Sequence, residues 1–186
     1  MLVIKKILRE SLVILIVASI LSTIGGIGLE ALKTKFIFLI PLLILIPALN
    51  DAIGDFGVII SSKFTTILYS GKLNKKKWWQ SLELSNEFKT ISTVALFMAF
   101  YLAVLSIFFA VLQGAKINII ECLKIVAVSY MLMASLVLII FFLAVIFGIW
   151  VYKRKEDPNN FLIPITTAIA DICSLLLFSA FLTFLF

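Results

Sequence analysis

The sequence predicts an all-α integral membrane protein with five transmembrane helices, and three observations carry that prediction. Of 186 residues, 63% are hydrophobic and 14% charged, with a mean hydropathy of +1.21, whereas soluble domains are closer to half apolar and a quarter charged. The apolar residues gather into five runs, each long enough to cross the roughly 30 Å of bilayer hydrocarbon. The basic residues collect in alternate gaps between those runs, as they do where a chain weaves through a membrane.

Run by run, helices are expected at about 7–29, 36–70, 90–112, 119–152 and 161–186. The first follows Lys5, Lys6 and Arg9. It is longer than the apolar centre of a signal peptide, and no small-x-small cleavage pattern follows it. Gly25, Gly26 and Gly28 near its end have no preceding strand, so they suit close helix packing rather than a dinucleotide loop. Taken as one straight helix, Phe36 to Tyr69 would be about 51 Å long. It must bend, tilt or protrude, and Pro41, Pro47, Gly54 and Gly57 offer places to bend. Short polar segments, Gln113 to Asn118 and Lys153 to Asn160, separate the last three runs.

Orientation follows from the basic residues. With a cytoplasmic N-terminus, the inner segments hold Lys5, Lys6, Arg9, Lys72, Lys75, Lys76, Lys77, Lys89, Lys153, Arg154 and Lys155, against Lys33, Lys35, Lys116 and Lys124 outside. The expected topology is N-in, C-out, as a multi-pass protein of the cell membrane. Lysines beside Trp78 and Trp79 read as an interfacial anchor, so the lipid bilayer is an expected partner and nucleic acid is not. The length predicts a single transmembrane domain, 1–186, with no soluble regulatory domain attached.

Histidine is absent, and Cys122 and Cys173 stand apart from each other and from any ligand motif. Imidazole catalysis, His-ligated zinc and C-x-x-C chemistry are thereby excluded, and any ligand chemistry must use oxygen. The cysteines read as packing residues. Oxygen donors concentrate on two helices. On the second, Asp51, Asp55, Ser62 and Thr66 share one stripe at 100° per residue, flanked by Asn50, Gly54, Ser61 and Thr65. On the fifth, Pro164, Thr167, Asp171 and Ser174 share a face, with Asp171 about 15 Å in from Phe161. An ionised carboxylate at that depth costs at least about 2.5–3.5 kcal/mol. It therefore needs a partner or a water-filled path; a structural aspartate hydrogen-bonded between helices is the alternative. Lys63 lies about 18 Å along the helix from Asp51 and is expected to reach the cytoplasmic surface instead of neutralising Asp171. Glu30, at the outer end of the first helix, is either a collector of cations or a solvated acid.

Pro47-Ala48-Leu49-Asn50-Asp51-Ala52-Ile53-Gly54-Asp55, then Ser61-Ser62-Lys63-Phe64-Thr65-Thr66 and Gly71, then Asp157-Pro158-Asn159-Asn160 with Ile163-Pro164 and Thr167 to Asp171, resemble the membrane domain of the MgtE family of magnesium transporters. The resemblance is closer to the branch shared with eukaryotic solute carrier relatives. It implies five helices per subunit, a homodimer with the pore along its two-fold axis, and hydrated magnesium, or another divalent cation, bound near mid-membrane by the last-helix aspartate, which here is Asp171. Asp55 and Asp51 are the further carboxylates expected at the metal, with Asn50, Gly54, Thr167, Pro164, Ser174, Thr166, Ser62 and Glu30 lining or supporting the path. Two positions depart from the pattern: the family's Gly-Asn is Gly54-Asp55, and Lys63 stands where the closer branch has arginine. The family's soluble sensor modules find no counterpart, so gating by them would need a separate chain. The alternatives are one half of a heteromeric transporter or a non-transporting membrane partner. An intramembrane aspartyl protease fails on detail, because Pro47-Ala48-Leu49 precedes Gly54-Asp55 instead of following it and Ala170, where a tyrosine is wanted, precedes Asp171. The protein is thus not expected to be an enzyme.

Overall fold

A computed structural model of the chain describes residues 40–71 and 78–185, together with Leu12, Ile16, Ser19, Ile20 and Thr23. The expected first helix at 7–29 otherwise lies outside the described residues, as do Glu30 and Lys72, Lys75, Lys76 and Lys77. The described residues form four long helices and no strand: α1 (Ile40–Tyr69), α2 (Leu82–Leu112), α3 (Ile119–Lys153) and α4 (Pro158–Leu185), with a single 3₁₀ turn at Trp78–Gln80 ahead of α2. All four are long and apolar enough to cross a membrane, so the chain is a multi-pass membrane protein that associates with the bilayer.

Local chemistry fixes the ends. Ser81 accepts the Leu84 amide at 3.3 Å and starts α2. That is well before the point near 90 where hydropathy alone begins the span, because hydropathy reports depth in lipid while capping and helix-forming Leu82, Glu83 and Leu84 decide where the helix begins. Gly114 turns the chain at φ 86°, a conformation that suits glycine. Asn118 and Glu121 then form a reciprocal capping box at the head of α3. Asp157 accepts the Asn159 amide at 3.0 Å, and Pro158 takes the first helical position, where its missing N–H costs nothing. The Asp-Pro pair of the sequence is thus a helix start. α1 runs unbroken through Pro47, whose ring lies on the exposed side.

α1 and α3 each pack against the other three helices, with α2 and α4 flanking them. α3 contributes the most buried span, through Ile125, Val128, Leu132, Leu136, Ile140 and Ala144. α2 meets the bundle with small residues at helical spacing, Ala95, Ala99, Ala103, Ser106 and Ala110. These let backbones approach closely, which is how helices gain dispersion contact where lipid removes any hydrophobic drive to associate. The contact is pinned by Ser129 Oγ, which donates to the Ala99 carbonyl at 2.8 Å. Gly148 gives the same close fit to the Phe64 ring: a Cβ there would stand 2.5 Å from Phe64 Cε1. The opposite side of α2 leaves Val94, Phe97, Tyr101, Val104 and Phe108 exposed.

Candidate functional site

The polar residues of α1 divide between two sides of the helix. Asn50, Ser61 and Thr65 turn toward the bundle, whereas Asp51, Asp55 and Thr66 are exposed and Ser62 is half-exposed. Asp51 and Asp55 of the stripe singled out by periodicity therefore face away from the described bundle, and Asn50, Ser61 and Thr65 of its flank face in. Gly54 lies on the outward side, with no heavy atom within 4 Å of where a Cβ would stand.

α4 runs antiparallel to α1 and meets it at two polar junctions. At the first, Asn50 Nδ2 donates to Asp171 Oδ1 at 2.9 Å. Ser174 Oγ, which is buried, donates to Asn50 Oδ1 and is also 2.8 Å from the Asp171 carbonyl oxygen. Asn50 thus uses both ends of its amide to join one α4 hydroxyl to one α4 carboxylate, which fixes the amide's orientation and the carboxylate's rotamer. Asp171 itself is half-exposed. Thr167, one turn before it, is also half-exposed and bonds back to the Ile163 carbonyl at 2.9 Å; Pro164 lies one turn further, half-exposed as well.

The second junction is dry. Thr166 is fully buried, 3.0 Å from the buried Ser61 hydroxyl, and donates within reach of the Gly57 carbonyl at 3.3 Å and the Leu162 carbonyl at 2.7 Å. A Cβ on Gly57 would come to 3.3 Å from Thr166 Oγ1. Thr166, expected beside a path, supports the helix pair from inside it.

Sequence reasoning omitted one group from its site. At the C-terminal end of α1, Thr66, the last residue of the stripe, together with Ile67 and Ser70 faces Glu83, Asn86 and Glu87 of α2 across a cavity of about 370 Å³. Glu87 Oε1 there accepts from Lys63 Nζ at 3.3 Å, so Lys63 is tied to α2. The signal was present in Glu83 and Glu87 at i, i+4, but it lay ahead of the expected helix start.

Among the described residues, no three aspartate, glutamate, cysteine or histidine side chains gather into a cluster able to hold a metal ion. Asp171, Asp51 and Asp55 are held on two adjoining helices of one chain without forming a closed cage. The family model for MgtE, described as a divalent cation transporter, matches residues 46–181.

The chain belongs to the MgtE family. The match takes in all of α2 and α3 and most of α1 and α4, including both polar junctions. MgtE is a family of transporters and not of enzymes, so the intramembrane protease alternative falls. No curated protein and no solved structure matches the chain.

Proposed function

We propose that this MgtE-family protein carries magnesium across the cell membrane as a homodimer, the hydrated ion passing between two copies at the level of Asp171. The observation that supports this most strongly is the placement of Asp51 and Asp55 on the exposed side of α1, next to the Asn50 that holds Asp171. Carboxylates facing lipid are costly, and such residues face protein interiors or water-filled cavities. A second copy related by a two-fold axis covers that side with its own equivalent and doubles the carboxylates lining it.

The chemistry suits a hydrated ion. Magnesium gives up water reluctantly and is held through one or two carboxylates with several waters retained. A path for it needs fixed charge and polar oxygens, with no tight protein cage. Asp171 is held in place by Asn50 and, through it, Ser174. Asp51 and Asp55, four residues apart, present two more carboxylates on one face. Thr167 and Ser62 add hydroxyl oxygens, and Gly54 leaves room for the partner's backbone. Glu30 would draw cations to the outer mouth, and other divalent cations would compete for the same oxygens.

The test is magnesium flux into proteoliposomes loaded with an indicator dye under an imposed membrane potential. Native protein is expected to carry potential-driven flux, and folded Asp171→Asn to lose most of it. Unchanged flux in that variant contradicts the assignment. A folded native dimer without flux shifts the reading to a heteromeric transporter, a separate regulatory chain, or a required coupling ion.

A further inference from the structure

On the side of the bundle away from the polar stripe, α2 and α3 enclose a groove of about 470 Å³ between Ser92, Ala95 and Leu96 of α2 and Ala134, Ser135 and Leu138 of α3. That lies within the roughly 300–1,000 Å³ of small-molecule sites. Its floor is made of small side chains and its walls are hydrocarbon. The Ser135 hydroxyl is already committed to the Met131 carbonyl at 2.7 Å. Phe88, in tilted contact with Phe141 at 4.7 Å between ring centroids, borders this groove and a smaller one of about 150 Å³ lined by Trp78, Ser81 and Ser85. The two lie in succession along the helix pair with Phe88 between them, and the larger forms a slot between α2 and α3.

The slot has a charged end. Lys89 is exposed, four residues after Ser85 and three before Ser92, and so shares their side of α2. Trp78 directly follows Lys75-Lys76-Lys77 in the chain. Glu83 and Glu87 line the other cavity, against α1, and Glu87 is bonded to Lys63. The acids of α2 therefore line the cavity against α1, and Lys89 stands on the side of α2 that carries Ser85 and Ser92. A hydrocarbon groove with an exposed lysine on the same side of its helix is complementary to a molecule with an apolar chain and an anionic head.

We propose that this slot is a binding site for an anionic phospholipid, one acyl chain lying between α2 and α3 and the headgroup beside Lys89. The site is independent of which ion is carried.

The test is quenching of Trp78 in a chain carrying Trp79→Phe and Trp150→Phe, reconstituted in phosphatidylcholine vesicles doped with brominated-chain phosphatidylglycerol or brominated-chain phosphatidylcholine. The anionic lipid is expected to reach half-quenching at a mole fraction lower by about three-fold or more. Lys89→Gln, at an exposed position that should not disturb folding, is expected to remove that preference. Ala134→Phe, which fills the groove, is expected to reduce quenching by both lipids. Equal quenching by the two lipids in the native background overturns the proposal, as does a preference that survives both substitutions. A disulfide between two copies of a Ser92→Cys chain also overturns it, since the groove would then be covered by protein.

Discussion

The two junctions between α1 and α4 are made of different materials. One joins Asn50, Asp171 and Ser174 and leaves its carboxylate half-exposed; the other joins Gly57, Ser61 and Thr166 and is closed to solvent. Hydroxyls and a glycine suffice to hold two helices together in lipid, because close approach gains dispersion and each hydroxyl finds a backbone or side-chain oxygen. A carboxylate adds nothing to that task that a hydroxyl does not supply at lower cost. Its presence at only one junction is what the proposed division, one position for packing and one for ions, rests on.

Substitutions can break this contrast, and the largest effect is expected at the first junction. Asp171→Asn preserves size and a hydrogen-bonding carbonyl but removes the charge. Magnesium flux should fall by about ten-fold or more, while unfolding free energy in detergent changes by no more than about 1 kcal/mol. Gly57→Val attacks the second junction through packing, since its Cβ alone would meet Thr166 Oγ1 at 3.3 Å. A loss of about 1–3 kcal/mol is expected, read from the unfolding midpoint. Thr166→Val deletes a hydroxyl within a nearly isosteric side chain. It should cost about 0.6 kcal/mol, and no more than about 1.7, with flux per folded protein essentially retained. The smallest effect is expected at Lys63→Ala, because Lys63 and Glu87 form an exposed pair, 56% and 31% accessible, at 3.3 Å. Such pairs contribute about 0.2–1 kcal/mol, less at high salt.

Much of this was legible in the sequence because membrane helices announce themselves through apolar runs. α3 and α4 appear close to where hydropathy places them. The start of α2 was hidden, since Ser81 caps a helix whose first turns are polar and stand outside the hydrophobic run. Within α1, periodicity correctly separated Asp51 and Asp55 from Asn50 and Ser61, but a stripe has no sign: only packing against α4 shows which side turns inward. Asn50 as the residue that grips Asp171 was beyond sequence reasoning, because the contact joins positions on different helices. Phe64 against Gly148 was hidden for the same reason. The structure divides the residues of the family motif between holding the helices and facing outward.

The central claim is that Asp171 serves ions and Thr166 serves packing. It is tested most directly by measuring magnesium flux per folded protein for native chain, Asp171→Asn and Thr166→Val, reconstituted side by side under the same imposed potential. The account predicts near-native flux for Thr166→Val and loss of most flux for Asp171→Asn. Equal loss in both variants, or full flux in Asp171→Asn, would contradict it.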